Sequence, residues 1–199
     1  AINISKSVET KPYNAGKLKG YLPELRGMTV KKPEDFLSRM REIFAECGIA
    51  FVLLPHLKNS GVNGAVKWVS EDRVVLAMNN RGLDADKFWF SLFHEIKHVL
   101  QQKIKTVFIS STVEEMMDID NNLEIEADKF AMNYLISPMD YKRLAPTRYI
   151  SDDEIVEFAK SIGIHPGIVA GRLQYEGIIA QNRCSKLKEK YVIETKHIA

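Results

Sequence analysis

Residues 88–102 read FWFSLFHEIKHVLQQ, and the interpretation of the chain turns on them. Two of its five histidines, His94 and His98, stand four apart here, with Glu95 directly after the first. Phe88, Leu92, Ile96 and Val99 recur at helical spacing and form a stripe that a helix would bury; His94 and His98 lie beside it, with Ser91 and Gln101. Side chains four apart on a helix share a face, with about 5–6 Å between Cβ atoms, so both imidazoles can present a nitrogen to one ion. Glu95 stands about 100° further round. It is poorly placed to complete the same ligand set, yet close enough to touch a water at the metal. The spacing therefore predicts two histidine ligands and one carboxylate that accepts a proton. Zinc suits these donors, because a four-coordinate site built from imidazole and carboxylate keeps one position for water. Chance produces the pattern in roughly one such chain in a hundred. The competing reading is a helix carrying two partly buried, hydrogen-bonded histidines.

A third donor is expected from NNLEIEADKFAMNYL, residues 121–135. Glu124 and Glu126 would point about 200° apart on a helix, so at most one can face the metal. Glu126, Lys129 and Asn133 make a polar stripe, whereas Leu123, Ala127, Phe130 and Tyr134 make the core stripe. Glu124, Asp128, Ala131 and Leu135 run beside that core stripe. Helical phase thus selects Glu124 as the third metal ligand. Asp128, one turn on, falls near a histidine's second nitrogen, where a carboxylate fixes the tautomer and raises basicity. The His-x-x-Gly-x-x-His continuation of metzincins does not follow His98, which again favours a glutamate on a second helix.

Around these two helices the pattern predicts an α+β fold, helix-rich, with a small, mainly antiparallel three-stranded sheet. A helix is expected from Pro33 to Gly48 on the stripe Phe36, Leu37, Met40, Ile43, Phe44 and Cys47. Strand-like runs follow at 49–55, 64–69 and 73–78, the last two joined through Ser70-Glu71-Asp72 as a hairpin. The last of them precedes the histidine helix, so its edge is expected to pair with an extended substrate segment. TVFIS (106–110) favours strand, and the acidic TVEEMMDIDNN (112–122) reads as a loop. Ser151 with Glu154 forms a capping box, and Pro166 opens another helix. Residues 1–32, punctuated by Gly16, Gly20, Pro23 and Gly27, read as an irregular arm. The main domain is expected over 33–182, and 183–199 as a basic, solvated tail.

Composition narrows the setting. The 199 residues are 45% hydrophobic and 27% charged with net charge +2, so bulk electrostatics does not call for nucleic acid. Cys47 and Cys184 make no disulfide framework, which points to a reducing, cytoplasmic location. No apolar run reaches the roughly 18 residues that a membrane span needs, and AINISKSVETKPYNAGK has no signal-peptide core. Loss of an initiator Met before Ala1, or excision from a longer chain, would each give this start.

FWFSLFHEIKHVLQQ followed by EIEADKFAMNYLISP resembles the ImmA/IrrE family of bacterial zinc metallopeptidases, gluzincin-like proteins with an HExxH motif and a downstream ExxAD. NGAVKW (63–68) and GIHPGIVAGRLQYEG (163–177) resemble the family more softly. The resemblance implies a zincin-like domain with Zn2+ on His94, His98 and Glu124, and Glu95 as catalytic base. It implies hydrolysis of a peptide bond in a protein substrate, a helix-turn-helix transcriptional repressor, in stress response or in mobile-element or toxin–antitoxin regulation. Family members often carry a HigA-like helix-turn-helix unit in the same chain or act beside a toxin; none is legible before residue 33. Many have Gly where this chain has Lys97, a residue without a role in this reading. The second hypothesis is a non-catalytic regulatory or antitoxin module with a structural metal, which would have no use for Glu95 beside His94.

Hydrolysis also needs a donor for the developing oxyanion, and His165, Arg172, Tyr141 and Tyr149 are the candidates; the competing reading of each is a capping, packing or surface residue. Ala159 to Gly163 resembles a helix-turn-helix turn. The helix after it has Arg172 as its one cation and is weakened by Gly167 and Gly171. It is read as half of a helical pair closing the domain, without direct nucleic-acid binding.

Overall fold

The chain opens on a short helix α1 (Ile2–Ser5), followed by α2 (Ala15–Gly27) and α3 (Pro33–Glu46). The computed structural model describes residues 1–55, 63–79, 84–105, 113–144 and 150–191. Helix α2 corrects the expectation of an irregular arm over 1–32. Asn14 caps it, its Oδ1 accepting from the Lys17 amide at 2.8 Å, and Leu18, Leu22 and Leu25 are buried along one face. Burying three leucines contributes about 1.5–3 kcal/mol each, which offsets roughly 1 kcal/mol for each interior glycine and about 3 kcal/mol for Pro23. Helix α3 follows its predicted stripe, with Phe36, Met40, Ile43 and Phe44 fully buried. Gly48 ends it at φ +81°, and a Cβ there would lie 2.3 Å from the Tyr13 Cα, so the chain can cross at this point only over a glycine.

Strands β1 (Ile49–Leu54), β2 (Gly64–Ser70) and β3 (Arg73–Asn79) form one sheet in the order β1-β3-β2. The β2–β3 hairpin is antiparallel as expected, but β1 runs parallel to β3, from Ile49 opposite Val74 to Leu54 opposite Asn79. The sheet is therefore mixed rather than mainly antiparallel. The cause lies in side-chain pattern. RVVLAMN is an almost continuous apolar run whose middle five residues are buried, which suits a central strand covered on both faces; GAVKWVS alternates and is half exposed, which suits an edge. β3 is consequently paired on both sides and has no free edge for a substrate. Among the described residues the sheet ends on β1 and β2, each paired on one side only.

Helix α4 (Ala85–Lys105) buries Phe88, Leu92, Ile96 and Val99 as predicted, together with Trp89 and Phe93. Helix α5 (Val113–Leu135) takes in all but the first residue of the segment 112–122 that reads as an acidic loop. Glu-Glu-Met-Met are good helix formers and no Gly or Pro interrupts them, so propensity prevails over charge. The strand-favouring 106–110 lies outside the described residues. α4 and α5 pack antiparallel: Phe93 stacks on Tyr134 with ring centroids 5.3 Å apart, while Gln101 reaches the Leu123 carbonyl at 3.1 Å.

Helices α6 (Pro138–Leu144), α7 (Asp152–Ser161) and α8 (Pro166–Tyr175) complete the fold. The Ser151–Glu154 capping box is present, and α8 buries Ile168, Val169, Ala170 and Leu173 against α4 and α7, closing the domain as a helical pair. Arg26 of α2 donates to the carbonyls of Tyr134, Leu135 and Ile162, satisfying the last turns of α5 and α7 at once.

Residues 183–191 are not a solvated tail. Lys188 pairs with Asp86 at 2.8 Å, the Ala85 amide donates to Glu189 O, and Tyr191 is only 1% exposed. One apolar aromatic outweighs the basic run around it; residues 192–199 lie outside the described set. A single core extends from Leu18 to Tyr191, so limits drawn at 33 and 182 separate nothing structurally. Among the described residues no helix is long and apolar enough to cross a membrane.

The Tyr191 hydroxyl accepts from the buried Trp89 indole N–H at 2.7 Å. Tyr191→Phe should strand that donor and lower stability by about 1–3 kcal/mol. Urea unfolding should show a lower midpoint at unchanged slope.

Candidate metal centre

The register of α4 points the Nε2 atoms of His94 and His98 at each other, 2.9 Å apart. Glu124 arrives from α5 and straddles them, with Oε2 at 3.2 Å from His94 Nε2 and Oε1 at 3.2 Å from His98 Nε2. The other ring nitrogens decide the protonation. His94 Nδ1 lies 2.8 Å from Asp128 Oδ1, and His98 Nδ1 lies 3.0 Å from Gln101 Oε1. Gln101 is fixed in that orientation because its amide nitrogen donates to the Leu123 carbonyl and to Glu126 Oε2. A carboxylate and an amide oxygen only accept, so in each neutral imidazole the proton sits on Nδ1 and a lone pair on Nε2.

With both rings neutral, two lone pairs and a carboxylate converge with no proton between them. Such a group repels itself unless a cation fills it. Burial also lowers the pKa of His98, which disfavours a ring proton as that cation. Donors around a tetrahedral ion with bonds of about 2.0–2.1 Å stand roughly 3.3–3.4 Å apart. The observed separations are close to that, and His94, His98 and Glu124 form a group that could hold a metal ion. Helical phase had singled out the same glutamate. Glu126 also reaches α4, at a more exposed place, where it accepts from Gln101 Nε2 at 3.2 Å and pairs with Lys97 at 3.2 Å; both glutamates face that helix, and only Glu124 meets the histidines. Lys97, without a role from sequence, therefore braces the carboxylate that helps orient Gln101. The part played by Gln101 was also missed. Its position three residues after His98 was visible, but its hydrogen bonds cross to another helix.

Glu95 lies alongside, 9% exposed, and burial pushes its carboxyl up to about 7. The nearby His94 opposes that rise, and the charge of Glu124 adds to it. Glu95 faces a cleft of about 590 Å³ whose opposite wall is β2, through Gly64, Val66 and Trp68. Gly64 is there for space. A Cβ at this position would stand 2.6 Å from Glu95 Cγ and 2.9 Å from its Oε1.

None of the described oxyanion candidates lines this cleft. His165 caps α8, its Nδ1 accepting from the Gly167 amide at 3.1 Å. The Arg172 guanidinium lies 4.7 Å from the Tyr141 ring centre, and both residues bond to Glu176. Tyr149 is outside the described residues. The cleft itself offers Asn63 and Ser91 as polar groups near the histidines.

No family model matches the chain, and no curated protein matches it.

Asp128→Ala and Gln101→Ala should each weaken metal binding by about 10–100-fold, and Glu124→Ala by more. Competition against a chromophoric chelator at neutral pH measures all three. Failure of the unmodified chain to take metal from the chelator would leave a proton-sharing histidine pair as the correct description.

Proposed function

We propose that this protein is a zinc-dependent endopeptidase of the ImmA/IrrE type, acting in the cytoplasm on a protein substrate, a helix-turn-helix transcriptional repressor. The observation that carries the reading is the convergence of three metal-competent donors beside a buried glutamate, in a cleft walled by β2, which among the described residues pairs on one side only. Zinc bound by His94, His98 and Glu124 would supply Lewis acidity, acidifying a water and polarising the scissile carbonyl.

The remaining roles fall to the chain. A carboxyl oxygen of Glu95 accepts the proton of the attacking water and returns it to the leaving amine. A pKa near neutrality suits both transfers. Asp128 and Gln101 hold the protons on Nδ1 of His94 and His98, keeping Nε2 of each free as a donor. Gly64 sets how deeply Glu95 can sit. The outer edge of β2 offers backbone N–H and C=O groups to an extended peptide. A flexible linker between repressor domains would adopt that conformation readily, whereas a folded segment would not.

A structural zinc site takes four protein ligands. Among the described residues the group here has three, and Glu95 stands next to it. That arrangement favours catalysis over a regulatory module with a structural metal.

Glu95→Gln should keep its metal by mass-spectrometric analysis and lose cleavage of a co-expressed repressor by on the order of 10²–10⁴-fold; a fully active variant would falsify the peptidase reading. Gly64→Ala should likewise retain metal affinity while turnover drops by about 10–100-fold, since it displaces the carboxylate and no ligand.

A further inference from the structure

The two lines of residues that build the metal centre continue past it. On α4, His98, His94, Phe90 and Asp86 are spaced four apart; on the antiparallel α5, so are Glu124, Asp128, Met132 and then Ile136, whose amide still donates to the Met132 carbonyl. Residues four apart stack along a helix with a drift of about 40° per step, so each line stays on the facing surface for several turns. Its first half meets at the metal. Its second half (Phe90, Asp86, Met132, Ile136) lines another cleft of about 270 Å³, which Ile168 and Gly171 of α8 close. Asn63, Phe90 and Ser91 belong to both clefts, which makes them one groove.

The chemistry of the second cleft identifies its occupant. Met132, Leu135, Ile136 and Ile168 make its walls apolar. Its charged side chains stand in ion pairs, Asp86 with Lys188 at 2.8 Å, Lys87 with Asp84 at 2.8 Å, and Arg172 with Glu176, while Asp86 Oδ1 and Arg172 Nη1 are buried atoms without a hydrogen bond among the described residues. Because those two atoms are closed off from solvent, a charged side chain entering the cleft would have to break one of these pairs to gain a counter-ion. Gly171 packs so closely that a Cβ would come within 2.5 Å of Asp86 Oδ2, so α8 is seated directly against the start of α4. The ring of Phe90, 6.4 Å from that of His94, stands between metal centre and pocket. One helical turn is about 5.4 Å and an extended peptide advances about 3.3 Å per residue. A side chain in the pocket therefore belongs one or two residues from the bond at the metal.

We propose that this second cleft is the specificity pocket of the endopeptidase and takes a large uncharged side chain of the substrate, such as Leu, Met or Phe, one or two residues from the cleaved bond. The assignment rests on the peptidase reading. The full metal-loaded chain is to be incubated with a mixed-sequence peptide library and the cleavage sites read by mass spectrometry. Matched synthetic peptides should favour Leu, Met or Phe over Gly, Asp or Lys at one position by about 10–100-fold in kcat/KM. Met132→Trp, which fills the pocket, should shift preference to Gly and Ala with metal content unchanged. Met132→Ala, which widens it, should admit Trp.

Cleavage without this preference, or a preference that neither variant moves, overturns the pocket and leaves the peptidase standing. The second arm needs no turnover. N-acetyl-leucine amide at millimolar concentration should shift the methyl resonances of Met132 and Ile168, and N-acetyl-glutamate amide should not. Equal effects, or none, overturn the pocket on their own; absence of any cleavage together with a leucine-selective shift overturns the peptidase role alone.

Discussion

The antiparallel contact between α4 and α5 sets a carboxylate against two imidazoles, and much of the remaining structure holds that contact in register. Ala127 and Ala131 are fully buried on α5, and small side chains there let the two helices approach closely. Phe93 against Tyr134 secures one end of the contact, and the Gln101 bond to the Leu123 carbonyl secures the other. Arg26 anchors the last turn of α5 from a helix more than a hundred residues earlier in the chain. The segment 184–191 and α8 do the same for the start of α4, through Tyr191, Lys188 and Gly171. A small slip of either helix would separate Glu124 from the histidines, and no local interaction could restore it.

Electrostatics at the centre is arranged against the bare protein. Each histidine is held by its second nitrogen in the tautomer that turns a lone pair inward, and the third donor is a carboxylate. Groups of like polarity gathered this closely cost folding free energy that a bound cation would return. Glu95 carries a related cost, since burial opposes its ionisation. Costs of this kind accumulate where a site is organised for a ligand, whereas a core organised only for stability would pair these groups or replace them with apolar ones.

Glycine marks both walls of the groove. Gly64 on β2 lies over Glu95, and Gly171 on α8 lies over Asp86, each at a distance that leaves no room for a Cβ. Two acidic residues of α4 are thus covered from opposite neighbours by elements that only a missing side chain allows so near. Backbone freedom is not what either glycine supplies. Neither has a positive φ, and both serve close approach.

What the chain carries in its own periodicity was legible before any fold: the two histidines on one face, the choice of Glu124 over Glu126, Asp128 one turn behind, the α3 stripe and the Ser151 capping box. These depend on spacing within a single element, which helical geometry converts directly into direction. The strand order, the helix within 1–32, the docking of 183–191, and the link from Lys97 through Glu126 and Gln101 to His98 were settled only by the tertiary structure. So were the space left by Gly64 and the choice, for His165, of a helix cap over the oxyanion role. In each of these, one surface competes with others for a partner far along the chain. Burial decides that competition, so Tyr191 overrides the lysines beside it, and a glycine on an edge strand sets the seat of the glutamate in HEIKH.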